Sequence, residues 1–235
     1  MKRLLALICV CLSLVGCDKD VGATLHVRDI KDVLTSSQAK NVPVEVSLDI
    51  LQTGIAEQCA KLDCKAIIDV LSSGFEDVRI EGCEKRFAGL NDRLTIRART
   101  VLELGNRQEI PASKFLLSFF ILKYGDKNSV LFARFDNAKF MQMQSLIQDI
   151  NVMARPRFAN ITIAVTISNE ERESVRILAD SGSFLDGKPI VQAKQVDIPA
   201  RGEVQFQLGD VKQSFLASNG YVAIVELAPL LKPAQ

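Results

Sequence analysis

The sequence predicts an α+β N-terminal domain, a mostly antiparallel sheet with two helices, followed by an all-β, sandwich-like C-terminal domain. Three observations predict this division. Residues 43–153 combine apolar patterns of period two with patterns of helical period. After residue 153 only short strand-like runs follow one another. Between the two parts, Ala154–Arg157 contains a proline and reads as a boundary, so we expect domains at 43–153 and 154–230 and a tail at 231–235.

Strands in the N-terminal domain are predicted by alternation. Val44–Ile50 alternates strictly, and Arg93–Leu104 places apolar residues on one side and arginines on the other. Lys114–Tyr124 is apolar on both faces, which is typical of a central strand covered on both sides. The predicted strands are 44–50, 77–82, 93–104, 114–124 and 129–135, and the predicted helices are 55–71 and 136–150.

The C-terminal domain is expected to consist of strands joined by tight turns. Asp186-Gly187 is a hairpin signal, and Pro199–Gly202 predicts another turn. No helical period is evident in this part of the sequence. The predicted strands are 158–168, 175–179, 183–185, 189–193, 195–198, 204–208 and 221–227. The stretch from Phe184 to Leu208 resembles the immunoglobulin-like domains of bacterial surface proteins, which implies a β-sandwich.

The first residues have the composition of a cleaved leader. Lys2 and Arg3 precede an apolar run from Leu4 to Val15, which Asp18–Asp20 ends. A membrane-spanning helix needs roughly 20 apolar residues, so this run is too short to be one. We therefore predict a signal peptide at residues 1–16.

Leu14-Val15-Gly16-Cys17 resembles the lipobox of bacterial lipoproteins. That resemblance implies that the Cys17 thiol receives a diacylglyceryl group, that the leader is removed and that the new amino group is acylated. Two or three acyl chains hold a protein stably at a membrane, at roughly 0.8 kcal/mol per buried methylene. Residues 17–42 would then form a lipid anchor and tether, with a short helical piece at Val27–Leu34.

Asp18 follows the anchor and resembles the signal that retains lipoproteins in the inner membrane of enteric bacteria. This implies a location on the inner membrane, facing the periplasm. Lys19 beside it can weaken the signal, so the outer membrane is the alternative location.

The charge balance argues against nucleic acid as a partner. Loss of Lys2 and Arg3 reduces the 29 basic residues by two, to 27, against 28 acidic residues. Nucleic-acid-binding domains show a basic excess instead. A single histidine and the absence of tryptophan disfavour histidine metal sites and aromatic cages, so we predict no metal and no cofactor.

Cys59, Cys64 and Cys83 remain after the leader and the lipidation site are set aside. Periplasmic cysteines form disulfides, and three cysteines allow one. Five residues apart on a helix, Cys59 and Cys64 would have Cα atoms about 8–9 Å apart, whereas disulfides need less than about 7 Å. A bridge between them is therefore disfavoured unless the helix starts late, for example at Asp63. Since the following strand returns along the helix, Cys83 reaches its N-terminal part. We predict a Cys59–Cys83 disulfide, with Cys64–Cys83 as the second choice.

No catalytic motif was found, and no catalytic residue is predicted. The sequence has no glycine-rich phosphate loop, no His-Glu-x-x-His and no Gly-x-Ser-x-Gly. Glu170-Glu171 is most simply a solvated turn. Arg93, Arg97 and Arg99 favour a solvent-facing sheet surface over an anion or headgroup site. Phe140–Met143 could be a contact stripe, although at helical spacing such residues are more often core.

These observations favour an envelope protein that acts by binding another envelope protein rather than by catalysis. The leader, the helix-to-strand cysteines and the domain order resemble small lipoproteins carried by phages and prophages. That resemblance implies envelope modification, such as exclusion of superinfecting phage. The alternatives are an envelope hydrolase with an unrecognised site, such as a Ser–Lys pair, and a small-ligand carrier with a cleft near Arg155–Phe158.

Overall fold

The structure is a computed structural model that describes residues 19–36, 40–52, 64–84, 92–105, 113–124, 128–150 and 161–227. Within these residues the chain is mostly β, with thirteen strands in one curled sheet and four helices. The strands are β1 (Lys19–His26), β2 (Val42–Gln52), β3 (Glu76–Glu84), β4 (Asp92–Leu104), β5 (Leu117–Tyr124), β6 (Asn128–Phe135), β7 (Ile161–Ser168), β8 (Val175–Ala179), β9 (Ser183–Leu185), β10 (Lys188–Pro189), β11 (Lys194–Ile198), β12 (Glu203–Leu208) and β13 (Tyr221–Glu226). The helices are α1 (Val27–Thr35), α2 (Cys64–Leu71), α3 (Asn137–Ile150) and α4 (Asp210–Asn219).

The alternation of apolar and polar residues in the sequence predicted the positions of the long strands correctly. In β2 and β4 the apolar residues of the period-two pattern are buried, and the polar ones between them are more exposed. β5 is buried on both faces, as its apolar sequence predicted. In the β9–β10 hairpin, Asp186 and Gly187 both have positive φ, of 47° and 77°, which is the geometry that an Asp-Gly turn favours.

The sheet branches at β4. Its spatial order is β10-β9-β12-β7-β1-β2-β4-β5-β6-β13-β8-β11, and β3 also pairs with β4. One edge of β4 pairs with β2 along its length. Its other edge pairs antiparallel with β3 up to Arg99 and then parallel with β5 from Leu102 to Leu104.

The predicted division into two domains at residue 154 is not confirmed. β7 pairs in parallel with β1 over the full eight residues of each strand, and β13 pairs with β6. Strands from the two predicted domains therefore alternate within one sheet. Because backbone hydrogen bonds join strands irrespective of their separation in sequence, the local boundary signal at 154–157 did not reveal this pairing.

The stretch predicted to be a tether contains two elements of the fold. In β1, Ala23 and Leu25 are buried, and the strand lies between β2 and β7. The polar residues that face outward between them give the segment the composition of a linker. α1 follows at once and buries Val27, Ile30 and Val33, so the short helix predicted at 27–34 is confirmed.

α4 was not predicted, because its buried face is mostly polar. The helix buries Lys212, Gln213 and Leu216, so no apolar helical period marks it in the sequence. The Gln213 side chain donates to the Ile161 carbonyl at 2.5 Å, which ties the helix to the start of β7. Gly220 ends the helix with φ of 79°, the left-handed conformation that glycine favours at this position.

The buried apolar residues form one large core between the layers of the curled sheet and its helices. A smaller cluster of Phe120, Leu122 and Phe132 lies on the opposite face of β5 and β6. In the described part of the chain, no helix has the length and apolar composition that a membrane span requires.

Candidate functional site

Most of the predicted modification sites fall outside the described residues. Cys17, Asp18 and Cys59 are among the residues not described, and Cys64 is described only as the first residue of α2. Cys83 lies near the end of β3, opposite Leu94, and is half-buried. Its burial raises the pKa of the thiol, and Asp92 raises it further. The lipidation site, the sorting residue and both disulfide pairings therefore stay predictions.

The arginines on the outward face of β4 are each paired with a carboxylate. Arg97 donates to Glu81 at 2.7 Å, and Arg99 donates to Asp77 at 2.7 Å. Arg93 is bonded to Asp49 on the neighbouring strand. Because neighbouring strands supply an acid for each base, this face is a charge-balanced sheet surface and does not concentrate positive charge toward an anion.

Glu170 and Glu171 hold the turn after β7 against α1. Glu171 accepts from Lys31 Nζ at 2.5 Å, and a Glu170 oxygen lies 3.0 Å from His26 Nδ1. Next to them, the fully buried Asn169 donates its side-chain amide to three carbonyls of the loops around β8 and β11. The acidic pair is therefore occupied by contacts within the fold.

Lys212 and Ser183 come from adjacent parts of the fold but do not form a nucleophile–base pair. Lys212 Nζ donates to the Ala223 carbonyl at 3.0 Å and lies 3.5 Å from an Asp180 oxygen. Burial lowers the pKa of Lys212, and Asp180 opposes that shift. The buried Ser183 hydroxyl makes no hydrogen bond. The Ser–Lys pair that would favour a hydrolase is not assembled from these two residues.

An aromatic cluster lies on the face of β5, β6 and β13 that is opposite the large core. The rings of Phe120 and Phe132 stack at 5.1 Å with an angle of 9° between their planes. Tyr221 meets both rings edge-on, at 6.4 and 6.1 Å. Phe215 of α4 in turn meets Tyr221 at 6.4 Å and 88°. We call these four residues the aromatic face.

A buried cation borders the aromatic face. Arg134 lies between Ser118 and Tyr221 in the register of β5, β6 and β13, so the three side chains share one side of the sheet. Its Nη2 donates to Ser118 Oγ at 2.8 Å and to Glu103 Oε1 at 2.7 Å. The guanidinium carbon lies 5.7 Å from the centre of the Phe120 ring.

The polar cluster at Arg134 leaves one donor unused. Nη1 of Arg134 is buried and makes no hydrogen bond, while only 11% of the Arg134 side chain and 16% of the Glu103 side chain are exposed. A buried ion pair is costly to desolvate, so its contribution to stability is small or negative unless its geometry is good. Aromatic residues and arginine are also the residues enriched at binding hot spots.

The outer end of the aromatic face is accessible. Phe215 is 48% exposed, and Val211, one helical turn earlier in α4, is 79% exposed. The two residues stand four apart and so lie on one side of the helix. Val211 and Phe215 therefore form an exposed apolar strip on α4, with the aromatic rings behind it.

The sequence patterns did not predict the aromatic face. The only signals were the double-faced apolar strand at 114–124 and an arginine inside an otherwise apolar strand at 129–135. The predicted stripe at Phe140–Met143 is divided in the structure: Met143 is buried near Gly74, whereas Met141 is 65% exposed. No group of three or more metal-binding side chains occurs among the residues that the structure describes.

Comparison with known proteins identifies a family but no characterised relative. No curated protein and no solved structure matches the chain. Residues 19–229 match a family described as a domain of unknown function, DUF7424. Since this match covers nearly all of the chain, the protein belongs to the DUF7424 family.

Proposed function

We propose that this protein is a lipid-anchored envelope protein of the bacterial periplasm that acts by binding another envelope protein. The observation that carries the proposal is the position at which the family match begins. It starts at Lys19, the first residue of β1 and two residues after Cys17 of the lipobox. A family domain that starts directly after the lipobox cysteine fits a processed lipoprotein, in which residues 1–16 are removed.

The aromatic face supports a binding role. Its exposed part is Phe215, beside Val211 on one side of α4, and aromatic residues are enriched in the central part of protein interfaces. Glu170, Arg93 and Lys212 each have a charged or polar partner within the fold, which favours a structural role, although the buried Nε of Arg93 makes no hydrogen bond.

The anchor is tested by expressing the full chain with Cys17→Ser in a bacterium supplied with a clickable fatty acid. The wild type should carry the label and sediment with membranes, because the acyl chains hold it there. The Cys17→Ser variant should carry no label and keep its leader. Cys9→Ser and Cys11→Ser are matched controls, since both cysteines lie in the predicted leader and should leave labelling unchanged.

A Cys17→Ser protein that is still acylated, or a wild type without label, would overturn the anchor. Location is tested in the same membranes by density separation. We propose the inner membrane, so the labelled protein should move with inner-membrane vesicles. Asp18→Ser should move part of it to the outer membrane if Asp18 is the retention signal.

The binding role is tested by crosslinking from membranes of the native host. A photoreactive amino acid at Phe215 should yield a defined crosslinked envelope protein. The same amino acid at Arg79, which is exposed on β3 and separated from β6 and β13 by β4 and β5, is the control. Equal crosslinking from both positions would contradict binding through the aromatic face.

We further propose that the bound partner is involved in phage entry, as the resemblance to phage-borne lipoproteins implies. Plating a broad phage panel on cells with and without the protein tests this. Unchanged sensitivity to every phage would overturn the exclusion role and leave the anchor and binding tests unaffected.

A further inference from the structure

We propose that the ends of five strands, β7, β1, β2, β4 and β3, lie directly against the bilayer surface. This inference rests on the proposed acylation of Cys17 and goes beyond it, because it fixes which end of the fold faces the lipid. Only two residue steps separate Cys17 from Lys19, the first residue of β1. A fully extended chain covers at most about 7 Å in two steps.

The pairing of residues between strands shows which residues lie beside Lys19, at the same position along the strand axes. Lys19 pairs with Ile161 of β7 and with Ile50 of β2, Ile50 pairs with Leu94 of β4, and Leu94 pairs with Cys83 of β3. The row crosses five neighbouring strands, which stand about 4.8 Å apart. The anchored end is therefore a broad edge of the sheet.

β2 and β4 extend beyond this row by two more residues. Their last pair is Gln52 with Asp92. Two residues of strand add about 7 Å, which equals the greatest reach from Lys19 to Cys17. Because two residue steps do no more than match this extension, the ends of β2 and β4 would lie close to the lipid headgroups when the acyl chains of Cys17 are in the bilayer.

The other end of β1 points away from the membrane. There, His26 pairs with Ser168 of β7, and Ser168 pairs with Glu203 of β12. The seven residue steps from Lys19 to His26 span about 23 Å along the strand. The turn with Glu170 and the start of β12 therefore face the periplasm.

The charged residues of the described strand ends do not favour anionic lipid. Among them, Asp20, Asp49, Glu84 and Asp92 outnumber the basic residues Lys19 and Arg93. Anionic lipids attract basic segments, and these described strand ends are not basic. The short covalent connection holds the edge in place, so the orientation should be independent of salt and of anionic lipid.

The test compares two exposed glutamates at opposite ends of the fold. Glu84 pairs with Arg93, one residue beyond the Lys19 row, and Glu203 lies in the row of His26. A fluorescent amino acid replaces either Glu84 or Glu203 in the full chain, which leaves all cysteines unchanged. The acylated protein is then reconstituted into phosphatidylcholine vesicles that contain a lipid with a nitroxide headgroup.

We expect strong quenching at position 84 and little at position 203, at low and high salt alike. A flexible insertion of 20 Gly and Ser residues between Asp18 and Lys19 adds an r.m.s. reach of about 25 Å, and should reduce the quenching at 84 to the level seen at 203. Asp18 stays in place, so acylation and sorting are unchanged by the insertion.

Equal quenching at the two positions, or stronger quenching at 203, would overturn the orientation. Loss of quenching at position 84 in high salt would also overturn it, because charge would then hold the edge at the membrane. Quenching at position 84 that survives the insertion would overturn it as well, because another contact would then hold the edge. Failure of acylation is a separate outcome: it appears as protein that is absent from the vesicles and carries no acyl group by mass.

Discussion

Arg134 and Glu103 form an ion pair that is almost fully enclosed by apolar and aromatic side chains. Nη2 of Arg134 lies 2.7 Å from Oε1 of Glu103, and the Phe120 ring lies beneath the guanidinium. Glu103 belongs to β4 and Arg134 to β6, and β5 runs between them. The pair thus links both flanking strands across β5, next to the point at which the sheet branches.

Removal of Arg134 alone should destabilise the protein strongly. Arg134→Met leaves the Glu103 carboxylate buried without its cation, and we expect a loss of about 3 kcal/mol in the free energy of unfolding. Adding Glu103→Leu should restore most of it, because an apolar pair avoids desolvating two charges. Urea unfolding of both variants measures this effect.

The control for Arg134→Met is Arg176→Met, which removes an arginine from the solvent-exposed pair with Asp197. Exposed pairs contribute little to stability, so this variant should unfold close to the wild type. An Arg134→Met protein as stable as Arg176→Met would contradict the assignment of a buried, mutually dependent pair.

Asn169 should be essential for the turn that joins β7 to β8. Its side-chain amide donates to the carbonyls of Glu173, Ile198 and Pro199 at 2.8, 3.2 and 3.0 Å, and its oxygen accepts from the Glu171 amide. Asn169→Ala removes all four bonds, although the Pro199 carbonyl keeps its bond from the Gly202 amide, and should reduce the free energy of unfolding by about 2–3 kcal/mol.

Asn219→Ala is the matched control, because the exposed Asn219 makes a single bond, to the Phe215 carbonyl. Thermal unfolding should rank the proteins as wild type, Asn219→Ala and Asn169→Ala in order of decreasing stability. The reverse order of the two variants would show that the Asn169 bonds are unimportant.

Asp49 should make stability depend on pH in the acidic range. Burial alone would raise the pKa of Asp49, but hydrogen bonds from Arg93 and Thr95 outweigh it, and the pKa lies below its usual value in the folded protein. The unfolded chain then binds the proton more readily, so the contribution of Asp49 is present above about pH 4 and disappears as the pH falls below it.

Asp49→Asn should therefore be less stable than the wild type at pH 7, and the difference should shrink as the pH is lowered toward 3. Urea midpoints measured across this range check the expectation. Asp69→Asn, a change at an exposed aspartate of α2, is the control and should unfold close to the wild type at pH 7. If the stability difference between Asp49→Asn and the wild type does not change with pH, the pKa of Asp49 is not the cause of that difference.

The disulfide prediction is checked by non-reducing peptide mapping of the full chain isolated from a bacterium after its free thiols are blocked. We expect a Cys59–Cys83 linked peptide, with Cys64–Cys83 as the second choice. α2 rises about 10 Å from Cys64 to Leu71, whereas β3 extends about 23 Å from Glu76 to Cys83, which favours a partner upstream of Cys64. A Cys59–Cys64 link would contradict both choices.

Local sequence patterns determined the individual strands but not their neighbours. The alternation in β2 and β4, and the turn at Asp186, depend on adjacent residues and were therefore predicted. The strand β1 and the helix α4 were not predicted from the sequence, because β1 has polar outward residues and α4 buries Lys212 and Gln213. A pattern that measures apolar periodicity cannot detect a helix whose buried side is polar.

By itself, the sequence determined that strands dominate, where several of them begin and end, and that a lipobox-like motif precedes them. Only the tertiary structure decided that β1 pairs with β7 and β13 with β6, and that Arg134 meets Glu103 across β5. The reason is physical. Alternation depends on which side of one strand is buried, whereas strand order depends on backbone hydrogen bonds between distant segments, and every residue except proline can donate one.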